Sequence, residues 1–279
     1  MSTSTTTTTE VKPGIADTTV FEFKTQDSSK QQHIKTAGDK FESQDYQDWR
    51  QQLKEEGFVV VKNVLNKEQV QHYRNEMLNW ITSFGTPLKI DDKSTWKYDN
   101  LPAHSLHNIY ALYSVSHEKF FWDLRSEPKI REAFGKVWET DELLVSFDGI
   151  NINFPGATGG LAKSAKSWQH VDQSPFKQSF QCVQGIAQLS NAGPKDGGLV
   201  VYPKSHKHFI EFVETQLDKS KWLHKDWLML TDEQVKWFED DLGIKPYKVE
   251  AEPGDLILWD SRTIHHAVLA ESDEIRTIA

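Results

Sequence analysis

Residues 253–268 read PGDLILWDSRTIHHAV. Pro253, Gly254 and Asp255 are turn residues, and an apolar run from Leu256 to Trp259 follows them at once, so the chain enters a strand from a tight turn. Two adjacent histidines, His265 and His266, lie beyond its end. Neighbouring residues of an extended chain point to opposite sides, so one of the two faces any site formed there.

The same grammar extends upstream. Val183–Leu189 reads as a strand, GPKDGG (193–198) as a strong turn, and Leu199–Tyr202 as the returning strand. Leu143–Phe147 and Ile150–Phe154 read as strands around Asp148 and Gly149, and residues 155–160 as a loop. The first half is different. Tyr46–Glu56 has helical spacing and stops at Gly57, and Phe58–Val61 is a β-branched run that reads as a buried strand. Asn66 is an N-cap candidate with Gln69 three residues on. Val70, Tyr73, Met77, Ile81 and Phe84 then predict an amphipathic helix closed by Gly85. A further helical stretch runs from about Ser116 to Val137, broken at Pro128, and residues 209–242 read as a polar helical insertion or lid.

This pattern predicts an α+β chain whose C-terminal half is an all-β barrel or jelly roll. Residues 1–40, rich in Ser, Thr, Gln and Lys, are expected to be a disordered tail. Residues 41–279 are expected to form a single domain, helical over about 41–140 and a barrel over about 141–279.

Composition narrows the function. The chain has 279 residues and a formal net charge of -9, which disfavours a sequence-independent grip on nucleic acid, because that needs clustered Lys and Arg. No apolar run is long enough to span a membrane. The one cysteine, Cys182, excludes an intrachain disulfide, and the N-terminus shows no secretory leader, so a cytoplasmic, reducing compartment is expected. Any metal site must therefore use His, Asp and Glu.

Two His-x-Asp pairs are present, His170–Asp172 and His224–Asp226. Residues i and i+2 of a strand share a side and can hold one ion, with a third ligand brought from another strand. With 11 histidines in a chain of 41 acidic residues, such spacing also arises by chance. Context favours the first pair. It lies at a loop-to-strand edge, whereas the second lies in a stretch read as helical, where i and i+2 diverge.

EEGFVVVKNVLNKEQV, the His170-x-Asp172 pair, KDGGLVVYPKSH and PGDLILWDSRTIHHAV, with Arg276 eleven residues past His265, together resemble the phytanoyl-CoA dioxygenase family of iron(II)/2-oxoglutarate oxygenases. The resemblance covers about residues 55–279. It implies a double-stranded β-helix, the jelly-roll or cupin-like barrel, with N-terminal and inserted helices. It implies Fe(II), 2-oxoglutarate and O2 as cofactor and co-substrates, and oxidation of a small organic molecule with release of succinate and CO2. Carried over residue by residue, His170, Asp172 and His265 fall on the iron ligands, the Asp-Ser-Arg-x-x-His pattern selecting His265 over His266. Arg276 falls on the residue that pairs with the distal carboxylate of 2-oxoglutarate, and Asn153 on a position that hydrogen-bonds it. His206 falls in a structural turn.

The carboxylate of Asp172 argues against halogenation, since related halogenases have a small residue there. Ala267 stands where some relatives carry a polar residue, and the chain stops three residues past Arg276, which puts the hold on that strand in question. Trp168, Gln169, Gln173 and Trp259 are candidate pocket residues, and Tyr98, His104 and His107 candidate lid residues. Two alternatives remain open: a cupin-like metal oxygenase or isomerase that does not use 2-oxoglutarate, and a non-catalytic binding protein of the same fold.

Overall fold

The structure, a computed structural model, describes residues 36–105, 107–157 and 168–279. Most of the expected tail and residues 158–160 of the expected loop lie outside them. Helix α1 (Ala37–Ser43) begins inside the stretch read as tail; Thr36 and Asp39 form a reciprocal capping box, and Phe41 is buried against Phe180 and Tyr46. Helix α2 (Trp49–Glu56) is capped by Asp48 and ends at Gly57, whose φ of 80° suits glycine. Strand β1 (Phe58–Val61) follows, then α3 (Lys67–Thr82) behind the Asn66–Gln69 capping box. A short strand β2 (Ile109–Tyr110) precedes α4 (Lys119–Arg125) and α5 (Pro128–Trp138). Pro128 starts α5, a position whose N–H has no intrahelical partner in any case.

The strand expected at Leu143–Phe147 is absent. Leu144, Val145 and Phe147 are exposed there, because no neighbouring strand pairs with the segment. Strand propensity reports fitness for a pleated surface and supplies no partner.

The barrel strands are β3 (Ile150–Asn153), β4 (His170–Val171), β5 (Val183–Ala187), β6 (Gly198–Val201), β7 (Leu228–Met229), β8 (Tyr247–Lys248), β9 (Leu256–Asp260), β10 (His265–Val268) and β11 (Arg276–Ile278). One sheet runs β7-β4-β10-β6-β8. Facing it are β1-β9-β5 and β11-β3-β2, joined by the Gln188–Ile278 bridge and by backbone bonds from Ala187 to Ala279 and Leu189 to Thr277. Strand β11 is thus held on both sides, with Arg276 opposite Asn153 and Ile278 opposite Asn151.

Strand β9 shows why its sequence has no polar alternation. Leu256 and Leu258 pack against the helices, while Ile257 and Trp259 pack between the sheets with Phe58, Leu199 and Val201. Both faces are covered, and burying each large side chain stabilises the fold by roughly 1.5–3 kcal/mol.

The 209–242 insertion is less helical and less polar than its sequence suggests. Helix α6 (Phe209–Thr215) and helix α7 (Asp232–Lys236), continued by a π-helical turn to Asp241, bury Phe209, Phe212 and Phe238 against Val171 and Ile264. Strand β7, within the insertion, pairs with β4, setting Met229 opposite His170. Among the described residues, no helix is long and apolar enough to cross a membrane.

Candidate metal centre

His170 opens β4 and His265 opens β10, and the antiparallel register sets them directly opposite each other. Their ring centroids are 4.2 Å apart. Asp172 lies two residues past His170, its N–H bonded to the Ser261 carbonyl in the β9–β10 turn. The His170 Nε2 atom is 3.7 Å from Asp172 Oδ1, and His265 Nε2 is 3.3 Å from Asp172 Oδ2. One ligand atom from each of the three residues lies within 4.8 Å of the other two.

The turn Asp260–Thr263 aims His265. Arg262 folds its guanidinium back onto the Asp260 carboxylate and also meets Glu42 at 2.6 Å. Ser261 donates to Gln173 and Thr263 donates to the Gly57 carbonyl. The Asp-Ser-Arg portion of the motif is therefore a rigid corner.

Each imidazole is oriented the same way. His170 Nδ1 donates to the Trp168 carbonyl at 2.9 Å, and His265 Nδ1 donates to the Thr263 carbonyl at 2.9 Å. Placing the protons on Nδ1 leaves both Nε2 lone pairs directed at Asp172. Burial, reinforced by the neighbouring His265, pushes the His170 pKa down to about 4, so the ring is neutral near pH 7, as a metal ligand must be. For Asp172, burial favours the protonated form. An interaction with His265, available only when that ring is protonated, then His170 and the Gln184 hydrogen bond, outweigh it and hold the carboxyl below its usual range. Gln184 donates to Asp172 Oδ2 at 2.7 Å, so the carboxylate cannot rotate freely.

Two imidazoles and one carboxylate suit a first-row divalent ion, and three ligands on one side leave further positions for other molecules. The residues present fit a mononuclear iron centre.

Arg276 is buried on β11. Its Nη1 donates to Asn151 Oδ1 at 3.1 Å, while its Nε has no partner. Burial pushes its pKa down to about 10, which leaves it cationic at neutral pH. Asn153, opposite it in register, is buried and its Oδ1 also lacks a partner. A Cβ at Gly198 would lie 3.6 Å from Arg276 Nη2 and 3.8 Å from Nε, so glycine keeps this cradle open. An unpaired buried guanidinium N–H is what an anion site looks like without its anion.

The other sequence candidates divide. Trp168 stacks on His170 with centroids 4.7 Å apart, and His107 stacks on Trp168 at 3.6 Å. Trp259 lies 5.4 Å from His265, with a buried, unpartnered Nε1. Gln169 donates to the Tyr202 hydroxyl, and Gln173 to the carbonyls of Lys177 and Ser179, so both tie the backbone and side chains of the fold. His104 stacks on Tyr110, and Tyr98 lies tilted against His104. His266 lies opposite Val200 and approaches Tyr202, and it is not part of the triad cluster. His206 is buried with Nε2 on the Lys54 carbonyl, and its ring leaves no room for a Cβ at Gly57. In the rejected pair, Asp226 accepts from Ser174 and Lys177 while His224 stacks on Phe176. Sequence reading missed Asn151 and Gln184. Asn151 had a signal, since it sits two residues before Asn153 on the same strand face; Gln184 had none.

Comparison with known proteins agrees with this geometry. A family model described as phytanoyl-CoA dioxygenase matches residues 53–278. The "Ava biosynthesis cluster protein O" of Aspergillus versicolor is 39% identical over 238 residues, covering 83% of this chain and 75% of that protein. Three solved structures share the fold at low identity. The epimerase SnoN with Fe3+, alpha ketoglutarate and nogalamycin RO has a TM-score of 0.53 at 14% identity, covering 81% of this chain and 78% of that one. EctD from S. alaskensis with 2-oxoglutarate and 5-hydroxyectoine has a TM-score of 0.52 at 12% identity, covering 81% and 71%. The alpha ketoglutarate dependent carbocyclase SnoK has a TM-score of 0.51 at 14% identity, covering 85% and 83%. These neighbours are double-stranded β-helix enzymes, which is the architecture found here. Because the family match runs from Leu53 to Ile278, through every strand of the barrel, the chain belongs to the phytanoyl-CoA dioxygenase family and is an oxidoreductase of the iron and 2-oxoglutarate type.

Proposed function

We propose that this chain oxidises a C–H bond of a small organic molecule, using iron(II) held by His170, Asp172 and His265 and 2-oxoglutarate anchored at Arg276. The observation that carries the reading is the convergence of the three ligand atoms within 4.8 Å on two facing strand ends. Iron bound there, with 2-oxoglutarate and O2, supplies the oxidising power, and succinate and CO2 are released.

The protein's own part is geometry and a dry pocket. Two backbone carbonyls fix the imidazole tautomers, and Gln184 fixes the carboxylate. Arg276, with Asn151 steadying one of its nitrogens, offers a cation of fixed direction to the distal carboxylate of the co-substrate. Asn153 faces the same cradle and is assigned to the co-substrate as well. Trp168 and Trp227 lie beside His170 and Trp259 beside His265, and would offer flat apolar surfaces to a substrate. Asp172 fills the position that a halide would need, so hydroxylation or another oxidation is favoured over halogenation.

The relative from a biosynthesis cluster, and neighbours named for nogalamycin and 5-hydroxyectoine, support a specialised small metabolite as substrate. The sequence has no run of basic residues that would suggest coenzyme A. An oxygenase that does without 2-oxoglutarate has no use for the Arg276 cradle, which tells against that alternative.

The test is Asp172→Ala. Iron-loaded wild type should form succinate from 2-oxoglutarate and show the visible charge-transfer band on anaerobic addition of 2-oxoglutarate. The variant, folded by circular dichroism, should lose both. Succinate formation at the wild-type rate in the variant would remove the triad from the mechanism.

A further inference from the structure

A second cation reaches the Arg276 cradle. Lys248, on the edge strand β8, lies opposite Val200 of β6, two residues from Gly198. A Cβ at Gly198 would lie 3.4 Å from Lys248 Nζ, on the same small volume that it would share with Arg276 Nη2 and Nε. Gly198 takes a φ of 116°, so the backbone there is also one that glycine tolerates best.

Neither cation has its charge answered by the protein. Lys248 Nζ donates to the adjacent Val249 carbonyl at 2.9 Å, and Arg276 donates to the neutral Asn151. Among the described residues, no carboxylate is within ion-pair distance of either; Glu250 and Asp196 act on Lys248 only from further away. Burial, then the charge of Arg276, lowers the Lys248 pKa, as expected for two like charges brought together in a half-buried pocket. Holding two cations at one point without an anion is unfavourable, and the arrangement makes physical sense if an anion binds between them.

Resting on the co-substrate assignment above, we propose that Lys248 is a positioning residue that closes on the distal carboxylate of 2-oxoglutarate from the side opposite Arg276. Arg276 has Nη1 occupied by Asn151, so Nε and Nη2 form the free edge of the guanidinium. That edge matches the two oxygens of one carboxylate, and Lys248 supplies a third donor. Gly198 is the floor between them. Lys248 then makes the site selective for a 2-oxo acid with a second carboxylate.

The experiment is an anaerobic titration of the iron(II)-loaded protein, reading Kd from the charge-transfer band. Wild type, Lys248→Met and Lys248→Arg are compared, with 2-oxoglutarate and with 2-oxobutyrate, which lacks the distal carboxylate. Loss of one charge-assisted hydrogen bond should weaken 2-oxoglutarate binding in Lys248→Met by about tenfold or more. The variant should bind 2-oxobutyrate as wild type does, and Lys248→Arg should recover most of the loss. Equal weakening for both oxo acids would mark a merely structural residue and overturn the proposal, as would Lys248→Met binding 2-oxoglutarate like wild type. A wild type that gives no band with 2-oxoglutarate would overturn the co-substrate assignment itself, and this inference with it.

Discussion

The two ends of this pocket are finished to different degrees. At the metal end, each imidazole has its outer nitrogen on a backbone carbonyl, and Asp172 is held by Gln184. What is left pointing inward is the ligand set. At the Arg276 end, the Arg276 Nε is buried without a partner, and Lys248 adds a second charge. The difference teaches which groups are internally complete and which depend on a bound molecule. The metal ligands are oriented by the fold; the anion cradle is balanced only by its anion.

Breaking the cradle should have the largest effect on binding. Arg276→Gln should weaken 2-oxoglutarate on the order of a hundredfold, read from the same anaerobic titration, because a buried charge partner is lost. Its apo melting temperature should not fall, since the cation it removes is buried without a carboxylate. A large drop in apo stability would show that Arg276 belongs to the scaffold instead.

Loosening the metal end should cost less and should spare the cradle. Gln184→Leu frees the Asp172 carboxylate, and iron(II) affinity should fall by about ten- to a hundredfold, as for other groups that orient metal ligands. Unchanged metal affinity would show that Gln184 does not orient the Asp172 carboxylate.

The smallest effect sharpens the contrast with a histidine outside the pocket. Burial holds the His206 pKa down, with Asp260 opposing, and its Nδ1 has no partner to accept a proton's bond. The unfolded chain takes up that proton near pH 6.5, and the folded chain resists it, so stability falls as pH drops below about 6.5. The decline in melting temperature between pH 7.5 and 5.5 should be shallower in His206→Gln. An unaltered slope would place the titration on the other buried histidines.

Some of this was written locally in the chain. The Asn66 and Gln69 cap, the stop at Gly57 and the strand Leu256–Trp259 depend on neighbouring residues, and they appear where the spacing put them. Leu143–Phe147 has equal strand character and stays unpaired, because a strand needs a partner that local sequence cannot name. Within residues 209–242 the helical reading overlooked β7, whose pairing with β4 places Met229 opposite His170. Asn151 was legible through its spacing from Asn153, whereas Gln184 and Lys248 meet their partners across the barrel.

By itself, then, the sequence determined the residue types and the local geometry: a His-x-Asp pair, a turn that ends before a histidine, and an arginine beyond it. Which histidine faces which was decided by the antiparallel register of β4 and β10. The tertiary fold alone decided that two cations share the space above Gly198. The physical reason is range. Caps and turns are closed by bonds spanning a few residues, while a ligand set or an anion cradle joins side chains far apart in the chain, whose distances exist only once the sheets have paired.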